Sequence, residues 1–366
     1  MHVFHTSAPR ISVRFGHLVF SLLLSLLPAE AKAAAAQTVT AGPEVKILDN
    51  AQWTKARLPV WPDGTFGILK SGSTYSFFAA HGSATPDGTP TRGLGTLDNP
   101  IAYGTTMGIA IQNMKNNYGY VGGGPIYRNG SLLLMFYHAE TPHGDGNFST
   151  TLGMAKSTNA GDSWTDLGPI ITANYPLIVT PGRCTTDLGG GTFLINGGYF
   201  IVSFRDRLTD CSEIYVAAAR AKVLDVVSAA ENQNDVVPWT KYFNGSWSEP
   251  GLGGRSTELA DGKHVSWRSI SYNSYLRKWI MVAQARPDPS IRQVKLTLFQ
   301  SSDGLFWTNR MQLESDPGNS GYPTIVGLGN DPGVSDAEFY VYYLSFTSFL
   351  EDGGISRRTI RLRRSQ

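Results

Sequence analysis

The sequence predicts an all-β protein, a five-bladed β-propeller of four-stranded antiparallel blades. Three observations carry that prediction. One hairpin pattern returns five times along the chain. The 40 Gly and 20 Pro follow no collagen-like period, which assigns them to turns. Helical periodicity is confined to one modest candidate, Val216–Ala230. With 16% charged and 11% aromatic residues, the chain has the composition of a packed protein and not of a disordered one.

The N-terminus stands apart from the repeats. Arg10 and Arg14 precede an apolar run from Leu18 to Leu27, and Pro28 leads to Ala31-Lys32-Ala33, a small-x-small pattern. This is the layout of a secretory signal peptide over residues 1–34, with an apolar run too short to span a bilayer as a mature helix. The expected location is secreted or periplasmic, with no membrane attachment after cleavage. The leader holds three basic residues and one acid, so residues 35–366 keep 28 of each sign and are neutral. A neutral chain with no basic run before Arg357 is a poor nucleic-acid binder. The two cysteines, Cys184 and Cys211, fit one disulfide in an oxidising compartment and form no zinc-type cluster.

Each hairpin joins an apolar strand to a strongly aromatic one through a Gly/Asn turn. The copies are Ile68–Phe78, Ile126–Tyr137, Phe193–Val202, Ile270–Val282 and a looser fifth from Thr324 to Tyr343. Their spacing of roughly 60–80 residues leaves room for about four short strands each. Radial repetition of such blades leaves only short edges exposed. A β-sandwich with a second domain is the alternative, but no linker-like stretch divides the chain. Residues 35–366 therefore read as one domain, expected to be a monomer. The final stretch, Arg357–Arg364, alternates partly and reads as a closing edge strand whose arginines block further pairing.

A second repeat is Ser157-Thr158-Asn159-Ala160-Gly161-Asp162-Ser163-Trp164, with a shortened version in Ser302-Asp303-Gly304-Leu305-Phe306-Trp307. Asn or Asp accepts backbone hydrogen bonds in such a turn, Gly supplies a positive φ, and Trp packs beneath. These turns resemble the Asp boxes of sialidases and related propellers, which join the outer two strands of a blade. They are structural, so Asp162 and Asp303 are not site candidates.

In a propeller the strand before each hairpin turn lines the central channel, and its start faces one mouth. Asp63 lies nine positions before Gly72, Asp187 ten before Gly197, and His264 nine before Asn273. The matching positions in the second and fifth blades fall near Gly122 and Tyr322. Two acids and an imidazole are thus expected to converge.

Pro62-Asp63-Gly64-Thr65, Ile68-Leu69, Gly72 and Tyr75 resemble the first blade of the five-bladed propeller glycoside hydrolases, which include arabinanases, arabinofuranosidases and β-xylosidases. That blade opens with Pro-Asp-Pro-Ser, an apolar pair, a Gly turn and Tyr; here Gly64 replaces the second Pro. The resemblance implies hydrolysis of arabinose- or xylose-containing polysaccharide, with endo action among the options and Asp63 as the base or nucleophile. It also implies a proton donor. The nearest counterpart is Glu249, before Pro250-Gly251, whose apolar and Gly-rich surroundings are expected to raise its pKa. The family's second-blade Asp is missing, since Gly122-Gly123-Gly124-Pro125 stands there. Asp187 is therefore read as a further functional acid.

Substrate-binding candidates are His81, His138 and Glu140 in the first half of the chain, and Arg255, His264, Trp267, Arg268 and Tyr322 in the second. Trp61 and Trp247 are further candidates for stacking on sugar rings. No cofactor is expected, and no metal, with a structural calcium in the channel left open. Two other readings stand beside this one. A non-catalytic glycan-binding propeller is favoured by the missing second-blade Asp. A sialidase-like exo-glycosidase has raw material in Arg183, Arg205, Arg255 and Arg268, but its Phe/Tyr-Arg-Ile-Pro opening is absent. The sequence also lacks a Walker loop, a dinucleotide fingerprint, a His-Glu-x-x-His helix and a Gly-x-Ser-x-Gly elbow.

Overall fold

Five antiparallel sheets follow one another along the chain and close into a ring. The computed structural model describes residues 37–364 apart from 59, 81–89, 107, 145–146, 178, 181–183, 186–187, 208–213, 261–263 and 288–292. The leader, His81, Asp187 and Cys211 lie outside the described residues, and so does the expected disulfide.

The first blade orders Gly67–Ser71, Thr74–Ala79, Thr91–Gly95 and Gly104–Thr106 from the axis outward. In the second, Tyr120–Gly122 and Ile126–Asn129 share the inner position against Leu132–Gly144. Asn147–Ser157 and Trp164–Thr172 follow, and Ile111–Gln112 adds a parallel outer strand. The third runs Leu188–Asn196, Tyr199–Arg207, Ile214–Lys222, Thr240–Phe243 and Ser246–Pro250. The fourth runs Val265–Asn273, Lys278–Ala285, Lys295–Ser301 and Thr308–Gln312. The fifth runs Asn319–Gly327, Glu338–Phe346 and Gly354–Arg364. All five hairpins expected from the sequence form, each with its first strand toward the axis; in the fourth blade the short strand Val334–Ser335 pairs parallel with the end of Val265–Asn273 on that inner side.

Closure differs from the expectation in one respect. Gly354–Arg364 is not an edge. Gln37–Ala41 and Val45–Leu48, from the other end of the chain, pair along its outer side. Arg357 and Arg358 are consequently buried. Arg357 stacks on Tyr340 and donates to Asp98 at 2.8 Å, while Arg358 donates to the Gly42 carbonyl at 2.8 Å. The helix candidate also resolves differently. Ile214–Lys222 is a strand, and the helix starts only at Val223 and runs to Asn232. Ala217 to Ala219 are fully enclosed between blades, so tertiary packing overrides the helical preference of alanine.

The core is divided as the ring requires. Five apolar clusters fill the five interfaces between neighbouring blades. Strand alternation distributes them. Leu132, Leu134 and Phe136 pack toward the third blade, whereas Leu133, Met135 and Tyr137 pack toward the first. Each second strand is buried on both faces, which explains why these hairpins are so apolar.

The two Trp-terminated turns join the third and fourth strands of the second and fourth blades. Asn159 Oδ1 accepts from the Ser163 amide at 3.1 Å, and Ser157 Oγ accepts from the Gly161 amide at 3.0 Å. Asp303 Oδ1 takes the Leu305 and Phe306 amides at 2.8 and 3.0 Å. Ser301, one residue earlier than the sequence pattern suggested, plays the part of Ser157. Trp164 and Trp307 are buried beneath.

Candidate active site

The mouth of the channel is built at the starts of the inner strands. Residues 61–66 cross it before the first blade begins. The Asp63 amide donates to the Ala80 carbonyl at 2.8 Å. Thr65 Oγ1 donates to the Arg268 carbonyl at 3.0 Å, and Thr324 Oγ1 receives the Phe66 amide at 2.9 Å. The entry of the first blade is thereby tied to the fourth and fifth across the axis.

Close approach explains the glycines here. A Cβ on Gly67 would stand 2.4 Å from the Gly124 carbonyl oxygen, and one on Gly124 would stand 2.2 Å from that of Phe136. The Gly-rich stretch that replaces the expected second-blade Asp therefore lets backbones meet at the axis.

Three later inner strands carry a bulge at this end, between Gly189 and Thr192, Val265 and Arg268, and Gly321 and Thr324. A bulge adds a residue and re-aims a side chain. Trp267 and Tyr322 sit in two of these bulges, their rings 4.9 Å apart and nearly perpendicular. Tyr322 has a left-handed backbone, with φ of 50°. Gly190 occupies the third, and a Cβ there would come within 2.7 Å of the Trp267 ring.

Asp63 is the hub. The Tyr120 phenol donates to its Oδ2 at 3.0 Å, and the Tyr322 phenol also hydrogen-bonds to it. Burial raises the Asp63 pKa above its ordinary value, partly offset by the two phenols and by His138. Burial beside this carboxylate holds both phenols protonated, with pKa values well above the ordinary one.

Beside it stands a second carboxylate. Glu140 pairs in register with Tyr120, and His138 pairs with Gly122, so both side chains share one face of the hairpin. His138 Nε2 and Glu140 Oε1 lie 3.1 Å apart. The imidazole is buried against Trp267, ring centroids 5.4 Å apart, and near Tyr120 at 6.3 Å. Arg205, opposite Gly189, supplies a cation that acts on Tyr322 and Arg268.

The structure thus brings together Asp63, His138, Glu140, Trp267 and Tyr322 from the candidates the sequence offered. Glu249 does not join them. It lies on the outermost strand of the third blade, ion-paired with Arg255 at 2.6 Å. That pairing lowers its pKa, contrary to the expected rise. Arg255 is exposed and stacks on Phe243. Arg268 is fully enclosed and donates to the Ser266 carbonyl and Ser203 Oγ, and burial with Arg205 nearby brings its pKa down to about 9. It braces the third blade against the fourth. His264 precedes the fourth inner strand in a left-handed conformation, its amide bonded to the Ile214 carbonyl. Trp61 is buried in the core between the fifth and first blades, and Trp247 packs on Tyr242 and Arg220 at the periphery.

Tyr120 was missed by sequence reasoning. The signal was present, because it stands two residues before Gly122, the position expected to open the second inner strand. Arg205, offered by the sequence only for the sialidase-like reading, lies on a second strand and is positioned through its register opposite Gly189.

The fold and this site define a five-bladed propeller with a carboxylate-centred mouth. No family model matches the sequence, and no curated protein does. Solved structures share the fold. A glycoside hydrolase aligns at TM-score 0.53 and 13% identity, covering 89% of this chain and 92% of its own. An α-L-arabinofuranosidase from Fusarium graminearum, solved with an iminosugar inhibitor, aligns at 0.51 and 10%, covering 88% and 98%. The catalytic domain of an α-L-arabinofuranosidase from Coprinopsis cinerea aligns at 0.50 and 7%, covering 89% and 97%.

Proposed function

We propose that the protein is a secreted glycoside hydrolase acting on arabinose- or xylose-containing glycans, with Asp63 and Glu140 as its working carboxylates. The observation that carries this reading is the mouth itself, where Asp63 and Glu140 act on one another electrostatically and His138, bonded to Glu140, packs on Trp267, in a propeller shared with glycosidases. Hydrolysis of a glycosidic bond needs one carboxyl group to protonate the leaving oxygen and another to act on the anomeric side. Asp63 suits the second role. Its two phenol donors hold it as an acceptor, and its raised pKa makes it a stronger base than an exposed aspartate.

Glu140 takes the donor role that Glu249 cannot fill. Its proton passes to the leaving oxygen as the glycosidic bond breaks, and Asp63 takes a proton from the attacking water or itself bonds to carbon. His138, in contact with Glu140, is placed to keep that proton in reach. Trp267 offers an apolar ring face to the sugar. Asp187, outside the described residues, remains the further carboxylate proposed to serve the reaction. The arginine cluster of a sialidase-like reading is not assembled from the described residues, because Arg255 and Arg268 are engaged elsewhere.

Release of sugar from arabinan, arabinoxylan and xylan tests the proposal. Asp63→Asn and Glu140→Gln should each cut turnover at least about 100-fold, while Glu249→Gln leaves it unchanged. Full activity in the first two variants would sink the assignment. Binding without product release by the wild type would leave the non-catalytic glycan binder in its place.

A further inference from the structure

One hollow shares residues with the candidate site and extends away from it. It has a volume of about 240 Å³ and is lined by Gly119, Tyr120, Glu140, Pro142, Gly144, Asn147 and Phe148. Glu140 and Pro142 face it from the hairpin, and strand alternation turns His143 to the other side, where it bonds Ser149 Oγ at 2.8 Å.

The lining has three properties. Phe148 is 36% exposed, an aromatic face presented to solvent next to a catalytic candidate. Asn147 Nδ2 is enclosed and has no hydrogen-bond partner, although an enclosed donor ordinarily finds one. Among the described residues no Lys, Arg or His lines the hollow, and Glu140 does. The described lining therefore offers nothing to pair with an anion, and it suits a ligand with one apolar face to lie on Phe148 and a hydroxyl or ring oxygen to accept from Asn147. A sugar ring has that combination. The volume falls below the roughly 300–1,000 Å³ of pockets that enclose drug-sized ligands, which suits a single ring.

We infer that this hollow is a sugar subsite that holds the ring on the leaving-group side of the scissile bond. The inference rests on the reading of Glu140 as proton donor, because the leaving oxygen then lies on the Glu140 side. The preferred substrate is accordingly an oligosaccharide whose departing portion is itself a sugar. Without that ring, binding energy is lost on the side where the bond breaks.

The test compares 1,5-linked arabinobiose with methyl α-L-arabinofuranoside, which has no leaving ring, and repeats the pair with xylobiose and methyl β-xyloside. Phe148→Ala and Asn147→Ala should each lower the disaccharide-to-methyl-glycoside ratio of kcat/KM about tenfold, equivalent to about 1.4 kcal/mol. Asn147→Ala should do so without lowering the melting temperature, since the amide it removes is unpaired. An unchanged ratio overturns the subsite, as does an equal loss on both substrates. Asp63→Asn and Glu140→Gln separate the two claims. If they abolish hydrolysis while the ratio stays fixed, the catalytic reading stands and the subsite falls. If the wild type hydrolyses neither substrate, the catalytic reading fails, and calorimetry with arabinobiose and xylobiose decides the subsite. Binding that is lost in Phe148→Ala retains it, and absence of binding overturns it.

Discussion

Replacing Tyr120 by Phe removes one phenol from Asp63 and changes little else, because the ring keeps its place beside His138. Burial pushes the Asp63 pKa up, and the Tyr120 hydrogen bond opposes that rise. Loss of the donor therefore moves the pKa further up. A hydrogen bond to a charged group contributes about 1.5–3 kcal/mol. The acidic limb of the kcat/KM profile reports the base of the free enzyme and should move to higher pH. Activity well above the limb should be largely retained, because Tyr322 still donates. A carboxyl carbon titration of Asp63 by NMR checks the same shift without any substrate. A limb that stays in place or moves to lower pH would refute the reasoning. So would an upward limb with an unmoved carboxyl resonance, since the limb would then belong to another group.

Other outcomes follow from the same geometry. Asp63→Asn should stabilise the fold at neutral pH. A raised folded-state pKa means that the folded protein binds more protons than the unfolded one, so stability falls as pH rises from the unfolded toward the folded value. Denaturant midpoints at several pH values should show the variant's advantage vanishing in acid. Lys241, buried in the third blade with a pKa lowered to about 8, has the opposite sign. Here the unfolded chain holds more protons between about 8 and 10.5, so stability should rise with pH by about 3 kcal/mol across that window, and Lys241→Met should abolish the rise. Gly190→Ala should destabilise by about 1–3 kcal/mol, through its positive φ and its contact with Trp267. Tryptophan fluorescence and hydrolysis should both change in that variant. N-terminal sequencing of exported protein should begin near residue 35 if the leader is cleaved as its pattern implies.

Much of this architecture was legible because its determinants are local. A Gly/Asn turn between an apolar and an aromatic stretch specifies a hairpin wherever it occurs, and five copies specify a ring. The site was half legible for the same reason. Counting back from each turn reached Asp63, Tyr322 and a position two residues from Tyr120. What escaped depends on pairing between distant segments. Glu249 looked like a proton donor because its neighbours are apolar and glycine-rich. The fold gives it an outer strand and Arg255 six residues on, and an ion pair outweighs composition in setting its charge. Glu140 was offered by the sequence only as a substrate-binding residue; its place near Asp63 follows from its register against Tyr120. The N-terminal strand that covers Arg357 and Arg358 was equally hidden, being more than 300 residues from its partner.

The inner strands show how a repeated fold makes an unrepeated site. A regular inner strand would direct alternate side chains into the two blade interfaces and leave only backbone at the axis. In three blades a bulge interrupts that alternation at the same end, and in the second blade Gly123-Gly124-Pro125 breaks the strand outright. Each interruption gives up ladder hydrogen bonds locally, and what it yields differs by blade: a gap at Gly190, a platform at Trp267, a phenol at Tyr322. The gap and the platform fit each other, since a side chain at position 190 would collide with the indole. The phenol reaches the carboxylate of the first blade, so the fifth and first blades share a polar contact at the mouth as well as an apolar interface below. The irregularities are therefore coupled. Restoring regular pairing in any one blade would withdraw a side chain on which its neighbours across the channel depend, so the scaffold's departures from symmetry and its candidate chemistry are one feature.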